Sequence, residues 1–242
     1  MHAMVAISIL IEAGAVLSAI FVAFFGRGNV GVALAFSYAV CAVGTTIGVT
    51  HFLANRDVSA DRVWLWKPDL PPATVANKYD WLNQPIEPFY RRYGLTDITL
   101  ISTLLAAAAG GLALGMLGHI YQYVLAHLPA TQELFQKTQL QLADSSDLRI
   151  SYFVMAVLFA PFAEEYLFRG LLFRALDREW KGKWHGWLAI LGSAAFFASY
   201  HPVLAWPPVF LLGATNAYLF KKTGKLAPCV LLHMIYNAVV LS

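Results

Sequence analysis

The sequence predicts an all-α protein that crosses a membrane about seven times as a helical bundle. Hydrophobic residues make up 59% of the 242-residue chain and charged residues only 13%, whereas ordinary globular domains carry about 25% charged residues. Apolar runs of roughly 20 residues, the length that crosses a bilayer as a helix, recur along the chain. With no internal repeat and no separate soluble segment, the chain is predicted to form a single membrane domain over residues 1–242.

Hydropathy and loop charge together predict the topology. The predicted spans are 3–25, 30–53, 96–126, 151–173, 185–200, 203–220 and 226–241. Most Lys and Arg residues lie in the loops after the second, fourth and sixth spans, and the positive-inside rule places such loops in the cytoplasm. We therefore expect an integral, multi-pass membrane protein with a cytoplasmic N-terminus, in the cytoplasmic membrane if the source is bacterial.

The first part of the chain, residues 1–128, holds three spans without a recognisable motif. The loop at about 55–94 is rich in Trp and Pro, a composition that suits the headgroup region of a bilayer. Two pairs of glycines four residues apart, Gly44 with Gly48 and Gly111 with Gly115, predict close helix packing, either within the chain or between copies in a homo-oligomer. The two cysteines lie in apolar runs and are interpreted as small core residues.

Two adjacent carboxylates and two guanidinium groups stand out in the fourth span, within the segment PFAEEYLFRGLLFR at 161–174. On a helix, Glu165 and Arg169 are four residues apart with the acid first, the favourable order for an ion pair. Glu164 lies about 100° further round the helix. We expect Glu165 to be held as a partner while Glu164 is free to act as a base on another face. The alternative is a cluster of charges that reaches the cytoplasmic interface.

Further polar side chains lie in the last spans. His201 follows Phe197 by four residues at the end of the fifth span, and His233 and Asn237 lie on one side of the seventh. Together with Glu164 they are sufficient for hydrolysis: a carboxylate base for water, a histidine that assists it, and two donors for a developing oxyanion. Taken alone, His201 is equally typical of an interfacial residue, and His233 with Asn237 is more typical of interhelical hydrogen bonding.

Three motifs in this order resemble those of the CPBP family. They are EExxxR at Glu164, Glu165 and Arg169, FxxxH at Phe197 and His201, and HxxxN at His233 and Asn237. The family contains CAAX prenyl proteases, which cut a prenylated protein after its modified cysteine, and bacterial relatives linked to bacteriocin processing or self-immunity. The resemblance covers 151–242, which is therefore predicted to be a four-span catalytic core.

The resemblance implies a role for each motif residue. Glu164, assisted by His201, activates the water of a metal-independent glutamate protease without a cofactor. His233 and Asn237 form the oxyanion hole. The supporting positions are Glu165, Arg169 and Phe197. We expect a peptide or protein substrate, with or without a lipid chain, in contact with the bilayer, and no nucleic-acid partner.

Three other readings remain open. A glutamate with two histidines is a known catalytic zinc set, although no HExxH pair occurs. A non-catalytic immunity or chaperone-like protein would bind a peptide in the same cavity. A transporter would use the carboxylate to carry a proton, but transporters commonly show inverted repeats. Three further polar residues lie at membrane depth. Glu12 and His119 are assigned structural or gating roles. Asn216 is assigned to packing, with support of the site as a weaker option.

Overall fold

The computed structural model describes residues 12–13, 16–17, 19–24, 30–55, 100–129, 131–133, 146–180 and 184–242. Within these ranges the chain is helical and no strand occurs, so the predicted all-α fold is confirmed. The helices are α1 (Val30–Ala54), α2 (Leu100–His127), α3 (Ser146–Val154), π1 (Met155–Phe159), α4 (Ala160–Glu165), π2 (Tyr166–Phe173), α5 (Arg174–Glu179), α6 (His185–Ser199), α7 (Trp206–Thr223) and α8 (Leu226–Val240).

Six of the predicted spans coincide with described helices. Four stretches are long and apolar enough to cross a membrane: Ala35–Ala54, Ile101–His127, Ile150–Glu179 and Val203–Thr223. The apolar helices α6 and α8 are shorter, with 15 residues each. The first predicted span and the Trp-rich and Pro-rich loop lie largely or wholly outside the described residues, so the count of seven stays a prediction.

One predicted glycine pair packs inside the chain. A Cβ atom built on Gly111 would lie 2.7 Å from the backbone oxygen of Leu232, and one on Gly115 would lie 2.6 Å from Cβ of Val239. Helices α2 and α8 therefore touch along their backbones, which a larger side chain at either glycine would prevent. At Gly44 a Cβ atom would meet nothing within 4 Å, so none of the described residues packs closely against this glycine.

The boundary between the fifth and sixth spans is a short connection. Helix α6 ends at Ser199, a single 3-10 turn covers Val203–Ala205, and α7 begins at Trp206. The start of α7 differs by three residues from the predicted span because Pro207 and Pro208 occupy its first turn, where the missing N–H groups cost no intrahelical bond.

The motif-bearing fourth span is not a regular α-helix. Segments 155–159 and 166–173 are wound as π-helix on either side of the six residues that include both glutamates. π-segments within helices are rare and frequently lie at functional sites. Near the first of them, Pro161 removes one backbone donor. The glutamates thus lie where the backbone changes its winding, between α1 on one side and α8 on the other.

Candidate active site

A cavity of about 640 Å³ opens beside Glu164, and we call it the Glu164 cavity. Residues from α1, α2, the 146–179 helix, α7 and α8 line it, together with the connection that follows α6. The residues predicted to act in catalysis all line it: Glu164, His201, His233 and Asn237. Two helices and the connection after α6 therefore present their polar side chains to one space, whereas the sequence predicted three helices with His201 at the end of the fifth span.

The two adjacent glutamates have different surroundings. The side chain of Glu164 is 13% exposed and faces the cavity, whereas that of Glu165 is 0% exposed. Oε1 of Glu164 accepts a hydrogen bond of 2.6 Å from the hydroxyl of Tyr38 on α1. Its other oxygen, Oε2, lies 3.8 Å from Nε2 of His233. The carboxylate is thus anchored through one oxygen and accessible through the other.

Glu165 lies at the centre of a buried polar cluster. Its Oε1 accepts from Nδ2 of Asn216 at 2.9 Å and from Nδ1 of His233 at 2.8 Å. Its Oε2 lies 3.1 Å from Nε of Arg169, which confirms the predicted ion pair, although the N–H is not aligned for a hydrogen bond. A buried carboxylate needs such partners because it has lost its water shell.

The guanidinium of Arg169 is held from several sides and is itself fully buried. Nη2 donates to the backbone oxygen of Gly213 on α7 at 3.0 Å, and Cζ lies 4.5 Å from the ring centroid of Phe197. The face of an aromatic ring attracts a cation, most strongly where water is excluded. The ring of Phe197 also contacts both histidines, at centroid distances of 4.9 Å to His201 and 5.7 Å to His233.

The hydrogen bonds of the two histidines fix which ring nitrogen faces the reaction space. Nδ1 of His201 lies 2.9 Å from the backbone oxygen of Phe197, and a carbonyl can only accept, so Nδ1 carries the hydrogen. The same reasoning applies to Nδ1 of His233 against the carboxylate of Glu165. In both rings Nε2 is therefore the nitrogen available to water or substrate.

The side chain of Asn237 supplies a hydrogen-bond donor that the backbone of the 146–179 helix lacks. The N–H of Ala160 bonds to the oxygen of Met155, and the next donor in π register belongs to Pro161, which has none. Ala156 is left with a carbonyl that lacks a helical donor, and Nδ2 of Asn237 donates to it at 2.7 Å. One amide hydrogen of Asn237 is thus committed to structure, and the other is free to face the cavity.

Residues 146–239 match the sequence model of the family described as type II CAAX prenyl endopeptidase Rce1-like. The match includes every motif residue named above. The match supports the resemblance of residues 146–239 to the CPBP family. No match was found among curated proteins or among solved structures. At family level the CPBP match supports a CAAX-type intramembrane protease that acts on a peptide or protein in a membrane.

One residue of this site, Tyr38, was not predicted from the sequence, and another, Asn216, was predicted mainly to serve packing. Tyr38 lies in a span without any motif, and nothing in its neighbourhood distinguishes it from an ordinary tyrosine of an apolar helix. Asn216 was assigned to packing, but the structure shows the weaker option, support of the site, because it is 0% exposed and donates to Glu165. The sequence feature that could have indicated this role is a polar amide in the middle of an apolar span.

The zinc reading has no preformed ligand set in the part of the chain that the structure describes. Among those residues no group of three His, Cys, Asp or Glu side chains is arranged to hold a metal ion. Nδ1 of His233 is engaged by Glu165 and Nδ1 of His201 by a backbone oxygen, so each ring offers a metal only its Nε2. Removal of metal from the purified protein tests this reading directly.

Proposed function

We propose that this protein is an endopeptidase in which Glu164 activates the water that hydrolyses a peptide bond. The observation that carries the proposal is the contrast between the two adjacent carboxylates. Glu165 has its oxygens directed at Asn216, His233 and Arg169, while Glu164 keeps one oxygen open to a cavity. A general base has to reach the proton that it abstracts, and of the two only Glu164 faces the cavity.

The proposed reaction begins when Oε2 of Glu164 takes a proton from water and the resulting hydroxide attacks the carbonyl carbon of the scissile bond. The C–N bond then breaks, and the proton held by Glu164 passes to the leaving amine, which regenerates the carboxylate. Nε2 of His201, the free nitrogen of that ring, orients the water or relays its proton.

The oxyanion that forms during attack requires donors on the opposite side of the carbonyl. The second amide hydrogen of Asn237 is one such donor, because the first is held by Ala156. His233 donates through Nε2 only when both ring nitrogens carry hydrogen, since its Nδ1 hydrogen already bonds to Glu165. Donors of this kind typically contribute a factor of about 10²–10³ each to the rate.

The test is cleavage of a panel of membrane-associated reporter peptides, including one with a farnesylated C-terminal cysteine, by the purified full chain in detergent. Glu164→Gln keeps the size of the side chain and removes the base, so cleavage should fall by roughly 10²–10⁴-fold. Glu179→Gln changes an exposed carboxylate of α5 outside the cavity and is the matched control. Both variants should melt at the wild-type temperature.

Each other outcome points to a different reading. Full activity of Glu164→Gln would exclude the glutamate mechanism. Loss of wild-type cleavage with a strong chelator, restored by Zn²⁺, would favour the metalloprotease. Peptide binding without cleavage by the wild type would favour an immunity or chaperone-like protein.

A further inference from the structure

We propose that Tyr38 is a positioning residue for catalysis and that it acts through Glu164. The inference rests on the proposed function, because it assigns Tyr38 a task only if Glu164 is the base. Tyr38 lies on α1, outside the matched residues 146–239, so the site would depend on a part of the chain that carries no family motif.

The contact itself is short and directional. The hydroxyl of Tyr38 donates to Oε1 of Glu164 at 2.6 Å, within the range of hydrogen bonds to an ionised oxygen, which are about twice as strong as neutral ones. A glutamate side chain has three rotatable bonds, and a donor fixed to one oxygen restricts them. With Oε1 bonded to Tyr38, Oε2 lies 3.8 Å from Nε2 of His233 and is the oxygen left to activate water.

The position of α1 makes this contact possible. Its buried residues next to Tyr38 are small, Ser37 and Cys41 with Ala42, which lets the helix approach the 146–179 helix closely. A second polar contact joins the same two elements, since Oγ1 of Thr50 lies 3.2 Å from the hydroxyl of Tyr166. The tyrosine is therefore delivered by a packed helix and not by a flexible loop, as a positioning role requires.

The experiment measures kcat and KM of the full chain with the best peptide of the panel. Tyr38→Phe removes the hydroxyl and keeps the ring. It should lower kcat roughly 10- to 100-fold, the usual effect of one hydrogen bond to a charged group, with KM changed less than threefold. Tyr123→Phe removes a hydroxyl from an exposed tyrosine of α2 outside the cavity and should match the wild type.

A second comparison separates positioning from a purely structural effect. Glu164→Asp shortens the side chain by one methylene and withdraws the carboxylate from Tyr38. In that background, removal of the Tyr38 hydroxyl should change kcat less than threefold, because the two groups no longer meet. An equal loss in both backgrounds would show that Tyr38 acts on another group and would overturn the inference.

The remaining outcomes distinguish this inference from the proposed function. If Glu164→Gln is inactive and Tyr38→Phe keeps the wild-type kcat, the positioning role is wrong and the glutamate mechanism stands. If Tyr38→Phe raises KM and leaves kcat unchanged, the hydroxyl binds substrate and the inference is wrong. If Glu164→Gln remains active, the proposed function fails whatever Tyr38 does.

Discussion

The buried pair of Glu165 and Arg169 makes Arg169→Ala the most informative stability variant. The substitution leaves a carboxylate with no exposed surface and without its guanidinium partner. It also removes the hydrogen bond to Gly213 and the contact with the ring of Phe197. Breaking a buried ion pair from one side typically costs 3–5 kcal/mol, because the remaining charge stays buried. For a chain of this size we expect a fall of about 6–20 °C in melting temperature.

The measurement is thermal unfolding of the full chain in detergent, followed by tryptophan fluorescence. Lys221→Ala is the matched control, because its ion pair with Asp177 joins α7 to α5 but its partners are 21% and 17% exposed. Ion pairs with access to solvent contribute about 0–1 kcal/mol to the free energy of unfolding. The control should therefore melt within about 4 °C of the wild type.

The origin of the instability can be tested with a double variant. Glu165→Gln/Arg169→Met removes both charges and leaves an amide oxygen to accept from Asn216, so it should melt above Arg169→Met alone. The reasoning is refuted if the Arg169→Ala variant melts within about 2 °C of the wild type. It is equally refuted if the double variant gains nothing over the single one.

Two further predictions concern helix packing and the missing backbone donor. Gly115→Ala places a methyl group against Val239 and should lower the stability by about 1–3 kcal/mol through overpacking. Gly44→Ala meets none of the described residues within 4 Å and should be neutral or stabilising, so equal melting of the two variants would contradict the close α2–α8 contact. Asn237→Leu leaves the carbonyl of Ala156 without a donor and should cost about 1–3 kcal/mol in unfolding experiments besides its effect on cleavage. A loss of cleavage at unchanged stability would instead assign Asn237 to the oxyanion alone.

The order of residues along single helices was sufficient to predict part of the site. A spacing of four residues, acid first, predicted the ion pair of Glu165 with Arg169, and neighbouring positions predicted that Glu164 faces elsewhere. Both are consequences of local helix geometry, which the sequence encodes directly. The ion pair forms although the segment is wound as π-helix, a winding that the sequence did not predict.

Contacts between different helices could not be predicted from residue spacing within one helix. The sequence left open which histidine lies beside the glutamates, although the resemblance assigned His201 to assist Glu164; the structure places Nε2 of His233 at 3.8 Å from Glu164. It also left open whether the Gly111 and Gly115 face packs inside the chain or between copies, and α8 turns out to cover it. Each of these depends on the rotation and height of one helix against another.

By itself the sequence predicted an all-α membrane protein whose residues 151–242 resemble the CPBP family, and it showed which polar residues lie within the apolar runs. Composition and spacing are sufficient for that, because a bilayer tolerates ionised groups only where they have partners or a task. Only the tertiary structure decided three hydrogen bonds: from Asn216 to Glu165, from Asn237 to the carbonyl of Ala156, and from Tyr38 on α1 to Glu164. Hydrogen-bonding groups 51, 81 and 126 residues apart meet through packing, and no local sequence pattern predicts such contacts.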